Sequence, residues 1–451
     1  MPPDLLPETQ RALLHRLATG QVAGRAPSAV AAVVRDGGPV WTQGWGEEAD
    51  GDTQYRIGSI TKMFVAVLVL RLRDEGRLAL TDPLGEHLPG TTAGDATIGD
   101  LLAHTAGLAS EPPGPWWERT PGTLRPELAD VLGSDPHRHP GGDRHHYSNP
   151  GYTLLGALVE RLREDEWFEV LRREVLGPLG MSRTTLLPAA PYAKGWAVHP
   201  WADVLLPEPA VDLGRMGPAG QLWSTAADLA RFAAFLIDGD ERVLGPDSAA
   251  QMRDPASPGE AANWDSGYGL GTQLLRRDGR VLTGHTGSVP GYVATLWVSV
   301  DEGLGAVVLG NTTSGFAVGT IAGDLLQTVA EREPRIPAPW RPLPTVDKKL
   351  LDLAGPWYWG PTPYLVRPLA DGFLELTGLR GVGRGARLRP TGDGEWEALN
   401  GYFAGERLRV VHDAAGAVSH LDIATFVFTR QPYDPAAPIP GGVDPAGWRA
   451  G

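Results

Sequence analysis

Residues 334–345 read Pro-Arg-Ile-Pro-Ala-Pro-Trp-Arg-Pro-Leu-Pro-Thr. Proline lacks an N–H, fixes φ and pushes its predecessor away from the helical region, so the stretch stays extended and cannot join a helix or a sheet interior. It predicts a linker at 334–345 that divides the 451 residues into a large unit at 1–333 and a small one at 346–435, with a flexible tail at 436–451. Two units also suit the length, because a single core seldom serves so long a chain.

The large unit begins with a helical pattern over residues 7–19, with Leu13, Leu14 and Leu17 on one face. A buried strand is predicted at 29–34, a turn at Arg35-Asp-Gly-Gly-Pro, and a returning strand at 40–45. A helix should start near Ser59, run to about residue 75 and stop at Gly76. Residues 80–225 read as a helical insertion rich in Pro and Gly loops, with helical segments at 154–163 and, just beyond it, at 226–237. Strands are expected again at 270–275, 280–284, 292–300 and 305–309, so one sheet should draw strands from both ends of the unit. Beyond the linker, short alternating segments over 358–432, separated by Asp-Gly and Ala-Gly turns, predict a small all-β domain.

Composition narrows the function. A net charge of −14 disfavours phosphate backbones, so nucleic acid is not an expected partner. The apolar run at 63–70 is far shorter than the ~20 residues that span a bilayer. Residues 1–8 carry no basic start or apolar core of a secretory leader, and the expected location is cytoplasmic, without membrane partners. The absence of cysteine excludes disulfides, thiol catalysis and Cys-ligated metals.

Ser59-Ile60-Thr61-Lys62 places a hydroxyl and an amine three residues apart on a predicted helix, where they share a face and can touch. A serine needs a base to take its proton, and a lysine serves once burial lowers its pKa. Only four lysines occur among 40 basic residues, and arginine cannot act as a base. Tyr147-Ser148-Asn149 follows a Pro-Gly-Gly turn, and a phenol held near a cationic amine can ionise in part and relay protons. Gly284-His285-Thr286-Gly287-Ser288 is a run of small residues that leaves a strand edge open to a substrate.

In these three motifs the chain resembles the class C type serine β-lactamases and their relatives, the DD-peptidases, D-aminopeptidases and β-lactamase-like esterases. The flanks Leu101-Leu-Ala-His-Thr-Ala-Gly-Leu and Gly220-Gln-Leu-Trp-Ser-Thr-Ala-Ala-Asp-Leu-Ala also look like that family, over about residues 10–330. The resemblance implies an α/β (α+β) chain with the β-lactamase/transpeptidase-like fold, an antiparallel sheet with helices and a helical insertion, followed by a lipocalin-like β domain. It implies Ser59 as nucleophile, Lys62 and Tyr147 as proton carriers, Asn149 against the substrate's flank, and the N–H groups of Ser59 and Ser288 as an oxyanion hole, with Thr286 and Gly287 on the substrate edge. His285 stands where related lactamases carry lysine and matches the peptidase-like branches. It is expected either to bind a substrate carboxylate as a cation or, neutral, to hydrogen-bond Tyr147 or Ser59.

The expected activity is hydrolysis of a small ester or amide through an acyl-enzyme, without metal or organic cofactor; the oligomeric state stays open. A DD-peptidase, a penicillin-binding protein or a weak β-lactamase is the rival within the class, and a noncatalytic acyl-binding protein the rival outside it. His137, His139, His145 and His146 are dense, but their loop spacing fits no familiar metal-ligand pattern. His104 is expected to satisfy a buried turn, and Trp116 and Trp117 either to line the acyl pocket or to anchor their loop.

Overall fold

The computed structural model describes residues 5–438 apart from 48, 143, 259–264, 338, 343–344, 346–347, 370–371, 380–382, 393 and 435. Part of the expected linker and most of the expected tail therefore lie outside the described residues. The chain forms two compact units, Met1–Arg335 and Ile336–Gly451.

The first unit is built on an antiparallel sheet with strands β1 (Ser28–Arg35), β2 (Gly38–Gly46), β3 (Ser257–Pro258), β4 (Ser266–Tyr268), β5 (Gln273–Arg277), β6 (Arg280–Val289), β7 (Tyr292–Ser299) and β8 (Leu304–Gly310). Their order is β2-β1-β8-β7-β6-β5-β4-β3, so the two ends of the unit meet where Ala29 to Arg35 pair with Gly310 to Leu304. β1 reads as an unbroken apolar run because both faces are covered: Val30, Ala32 and Val34 enter one core, Ala29, Ala31 and Val33 the other. Helices α1 (Pro7–Gly24) and α5 (Val318–Arg332) cover the second face with Leu13, Leu17, Ile321 and Leu325.

The first face carries α2 (Thr61–Asp74), α3 (Asn149–Arg163) and α4 (Ala226–Asp238). Residues 61–70 of α2 are all buried, which explains its lack of a polar face: it runs through the middle of the core. Two expectations shift. The insertion is looser than its composition suggested, with short helices among loops, α3, and a helical stretch at 167–179 whose middle, Arg172–Leu176, is π-helix. The strand expected at 270–275 starts at Gln273, because residues 269–272 make a tight turn in which a Cβ on Gly271 would lie 2.3 Å from the Ala66 methyl.

The second unit is a closed eight-stranded antiparallel barrel, β9 (Gly355–Trp359) to β16 (Phe426–Thr429), sealed by the pairing of Tyr358 with Thr429. Alternate residues point inward, so Leu374, Leu376, Leu388, Leu408, Leu421 and Phe428 fill it. Trp357 sits fully buried among them and donates its indole N–H to Leu353 O at 2.7 Å.

Candidate active site

Residues ahead of α2 are pinned before the helix begins. Ile57 N donates to Leu222 O at 2.9 Å, and Leu222 N to Thr61 Oγ1 at 3.2 Å. A 3₁₀ turn, Gly58–Ile60, then carries Ser59 into α2 and leaves its side chain half-buried at the surface of the core.

Lys62, one turn on, is completely buried. Its Nζ lies 3.0 Å from Ser59 Oγ, 2.7 Å from Asn149 Oδ1 and 2.7 Å from Ala219 O. Burial pulls its pKa from 10.5 down to about 7, against the opposing pull of the Glu111 and Glu118 carboxylates. A neutral amine has two N–H groups, and the Asn149 and Ala219 oxygens accept both, which leaves its lone pair facing the Ser59 hydroxyl. As an ammonium, Lys62 donates to all three oxygens. Either protonation state is fully satisfied without moving a side chain.

Asn149 opens α3 and is 8% exposed. Its position follows from the cap: Ser148 Oγ accepts from Gly151 N at 3.1 Å and donates to Ala109 O at 2.7 Å. Ser148 N donates to His104 Nδ1 at 3.0 Å, so His104 satisfies a buried turn. The Asn149 amide is engaged at both ends, because Nδ2 donates to Glu111 Oε1 and Oε2 at 3.0 and 3.1 Å.

Tyr147 places its ring centroid 4.9 Å from Lys62 Nζ. Its hydroxyl is buried and makes no well-formed hydrogen bond. Burial raises its pKa above the usual phenol value, more than the neighbouring Ser59 hydroxyl lowers it. Burial of Tyr147 thus works against the expected partial ionisation, and burial of Lys62 works against the cation that was to favour it.

The edge of β6 meets the Gly58–Ile60 turn closely. A Cβ on Gly58, which has φ +51°, would lie 2.8 Å from Ser288 N, and one on Gly287 would lie 3.2 Å from Ser59 N. A side chain at either position would meet backbone and push β6 and this turn apart. Thr286 is held from behind, its N and Oγ1 lying 3.0 and 3.2 Å from Gln273 Oε1.

His285 lies beneath this edge, 1% exposed. Its Nδ1 donates to Thr286 O at 2.5 Å, and its Nε2 lies 3.0 Å from the Tyr268 hydroxyl, which can donate to a neutral ring. Burial first, and Lys62 second, depress its pKa to about 3. This depression argues against the cationic role, and the ring's hydrogen bonds go to Tyr268 and Thr286 in place of the expected Tyr147 or Ser59. Accordingly, kcat/KM for a neutral ester and for its carboxylate analogue should follow parallel pH profiles between about pH 5 and 9. A loss confined to the acidic substrate with a midpoint near 6.5 would show His285 to be charged.

Trp117 is buried and donates to Glu111 Oε2 at 2.6 Å, so it anchors its loop, whereas Trp116 is exposed and donates to Glu118 Oε2 at 2.8 Å. His145 and His146 turn ring nitrogens to Ser257 Oγ at 3.0 Å and Leu108 O at 2.7 Å. Sequence reasoning missed Glu111, Gln273, Tyr268 and the Ala219 carbonyl. None lies in a motif, and a backbone oxygen leaves no residue-type signal.

Residues 14–330 match the family described as Beta-lactamase, and residues 346–430 a domain of unknown function, DUF7586. The chain belongs to the beta-lactamase family. Within that family it is 31% identical to penicillin-binding protein 4 of Amycolatopsis lactamdurans over 63% of this chain and 81% of that protein. It is also 31% identical to the human putative beta-lactamase-like 1, over 62% of this chain and 60% of that protein. The fold is shared with the octameric penicillin-binding protein homologue of Pyrococcus abyssi (TM-score 0.61, 22% identity, 93% of this chain and 99% of that one). It is shared too with D-amino acid amidase of Ochrobactrum anthropi SV3 (TM-score 0.63, 21% identity, 72% and 99%). Among the described residues no helix is long and apolar enough to cross a membrane.

Proposed function

We propose that this member of the β-lactamase-like serine hydrolases forms an acyl-enzyme on Ser59 and hydrolyses a small ester or amide. The observation that carries this reading is the contact of Ser59 Oγ with a fully buried Lys62 Nζ at 3.0 Å. Ser59 Oγ attacks the carbonyl carbon while its proton passes to Lys62 Nζ. The Ser59 and Ser288 amides stabilise the oxyanion. When the bond to the leaving group breaks, the proton reaches that group from Lys62 by way of Tyr147, whose buried hydroxyl is otherwise unpartnered. Water then cleaves the ester to Ser59, releasing the acid and restoring the hydroxyl.

Fluorophosphonate labelling, with intact mass read after incubation with a p-nitrophenyl ester, a penicillin and a D-amino-acid amide, tests the reading. Label on Ser59 with turnover of the ester or amide is expected. A stable penicillin adduct without turnover of either would favour a penicillin-binding protein, and no label at all a noncatalytic one.

Because Lys62 must be unprotonated to accept a proton, kcat/KM should rise with pH through about 7, the value to which burial lowers its pKa. Glu118 stabilises the ammonium form. Glu118→Gln should therefore move this acid limb to lower pH, and an unmoved or upward-shifted limb would contradict Lys62 as the base.

A further inference from the structure

The first unit holds a cavity of about 310 Å³ whose lining includes none of Ser59, Lys62, Tyr147, Asn149 or Ser288. Its walls are α3, the loops around 122–126 and 212–215, and the turn at 217–221. Two close approaches shape it. Gly122 N donates to Asp212 O at 2.8 Å, which draws the two loops together, and a Cβ on Gly156 would lie 2.2 Å from Pro218 Cγ, so α3 and the turn touch directly. Glu160, Glu166 and Asp212 bring three carboxylates to this space against the single guanidinium of Arg215. Arg215 Nη1 donates to Glu160 Oε2 at 2.7 Å, and Asp212 Oδ1 accepts from Gly214 N at 2.9 Å. The Glu166 carboxylate makes neither a hydrogen bond nor an ion pair among the described residues. Burial raises the Glu160 pKa more than Arg215 lowers it, and the charge of Glu166 raises it further. A cation is the complement this lining lacks. Trp167, only 6% exposed, borders the same space. Its indole N–H donates to no group among the described residues and is not packed away from the cavity, although a buried indole ordinarily finds an acceptor.

We propose that this cavity is a binding site for a small organic cation: a protonated amine with an apolar body and an oxygen that accepts from Trp167. The ammonium group sits among Glu160, Glu166 and Asp212, where charge-assisted hydrogen bonds replace its water. The apolar body lies against Trp167, Ala157 and Pro218, which supply an aromatic and aliphatic wall. An anion of the same shape meets like charge, and a neutral one gains the apolar contact alone. The volume admits a molecule of about the size of an aromatic amino alcohol, at the small end of ligand sites, which begin near ~300 Å³. No reacting group takes part, so the site stands or falls separately from the acyl-enzyme reading.

Isothermal titration of the full chain with phenylalaninol, phenethylamine, 3-phenylpropanol and 3-phenylpropanoate tests this. Phenylalaninol carries all three features; the others lack the hydroxyl, lack the amine, or exchange the cation for an anion. Phenylalaninol should saturate at millimolar concentration and bind at least ~10-fold more tightly than 3-phenylpropanol, the increment of one charge-assisted contact, while 3-phenylpropanoate should not bind. Glu166→Gln, at an exposed position, should weaken both amines several-fold and leave 3-phenylpropanol unchanged. Trp167→Phe should remove the advantage of phenylalaninol over phenethylamine. Ala157→Phe fills the cavity and should abolish binding, with circular dichroism as the check on folding. The proposal is overturned if phenylalaninol does not saturate, if amine and alcohol bind equally, or if binding is unchanged in Glu166→Gln or in a folded Ala157→Phe protein. Amine binding lost in Glu111→Gln but kept in Glu166→Gln would place the amine beside Asn149, and overturn it as well.

Discussion

Ser59→Ala should abolish hydrolysis and fluorophosphonate labelling together, and Lys62→Ala should lower acylation by roughly 10³- to 10⁶-fold. The two side chains act as a unit, since Lys62 has its lone pair on the Ser59 hydroxyl only because Asn149 and Ala219 hold its two N–H groups. The double variant should therefore be no worse than the poorer single one. Ser59→Ala removes one oxygen from a half-buried position and should fold normally. Lys62→Ala leaves a cavity beside two unpaired oxygens, so its circular dichroism and melting temperature must be read alongside the rate. Normal turnover by folded Ser59→Ala on the best substrate would refute the assignment of the nucleophile.

Nearly as large an effect is expected from a single methyl group at Gly287. A Cβ there would lie 2.0 Å from Ile57 O, which is backbone and cannot swing aside, so β6 must move away from the nucleophile turn. The Ser288 amide would leave the Ser59 amide, and loss of one oxyanion donor costs about 10²- to 10³-fold in kcat. Gly58→Ala should do the same from the other side, with added strain from φ +51°. Burst kinetics on a p-nitrophenyl ester, with melting temperatures as the folding control, would decide this. Native kcat in a folded Gly287→Ala protein would mean that the two amides do not work as a pair.

Much of this site could be read in the sequence because its reacting groups are spaced by helix geometry or occur in short motifs. Ser59 and Lys62 meet because three residues is nearly one turn, and Asn149 is marked by the capping serine before it. The sheet was legible for a similar reason: β1, β7 and β8 are apolar runs bounded by turn residues, and their burial on two faces is what such runs mean. Charge states were less legible. For His285 the residue type leaves a titrating cation and a neutral ring equally open, because it carries only the solution pKa, and what depresses that value is burial first and Lys62 second. Glu111 escaped notice because a lone glutamate in a loop is ordinarily a solvated one, and its contact with Asn149 depends on how residues 110–117 fold back onto α3. The barrel's all-β nature was evident from alternation, while its closure depends on the pairing of Tyr358 with Thr429, two residues with no local signal of contact.

The threefold grip on Lys62 draws its parts from residues 59, 149 and 219, which lie far apart along the chain. An unfolded or half-synthesised chain has none of this burial, and its lysine returns to the ordinary value of 10.5, protonated and useless as a base. On the proposed mechanism, Ser59 is thus armed by the completion of folding itself. If that mechanism holds, a nascent or damaged copy should stay chemically quiet toward esters and amides, and residual activity in a heated or aged sample should count intact molecules, with partly folded ones contributing nothing.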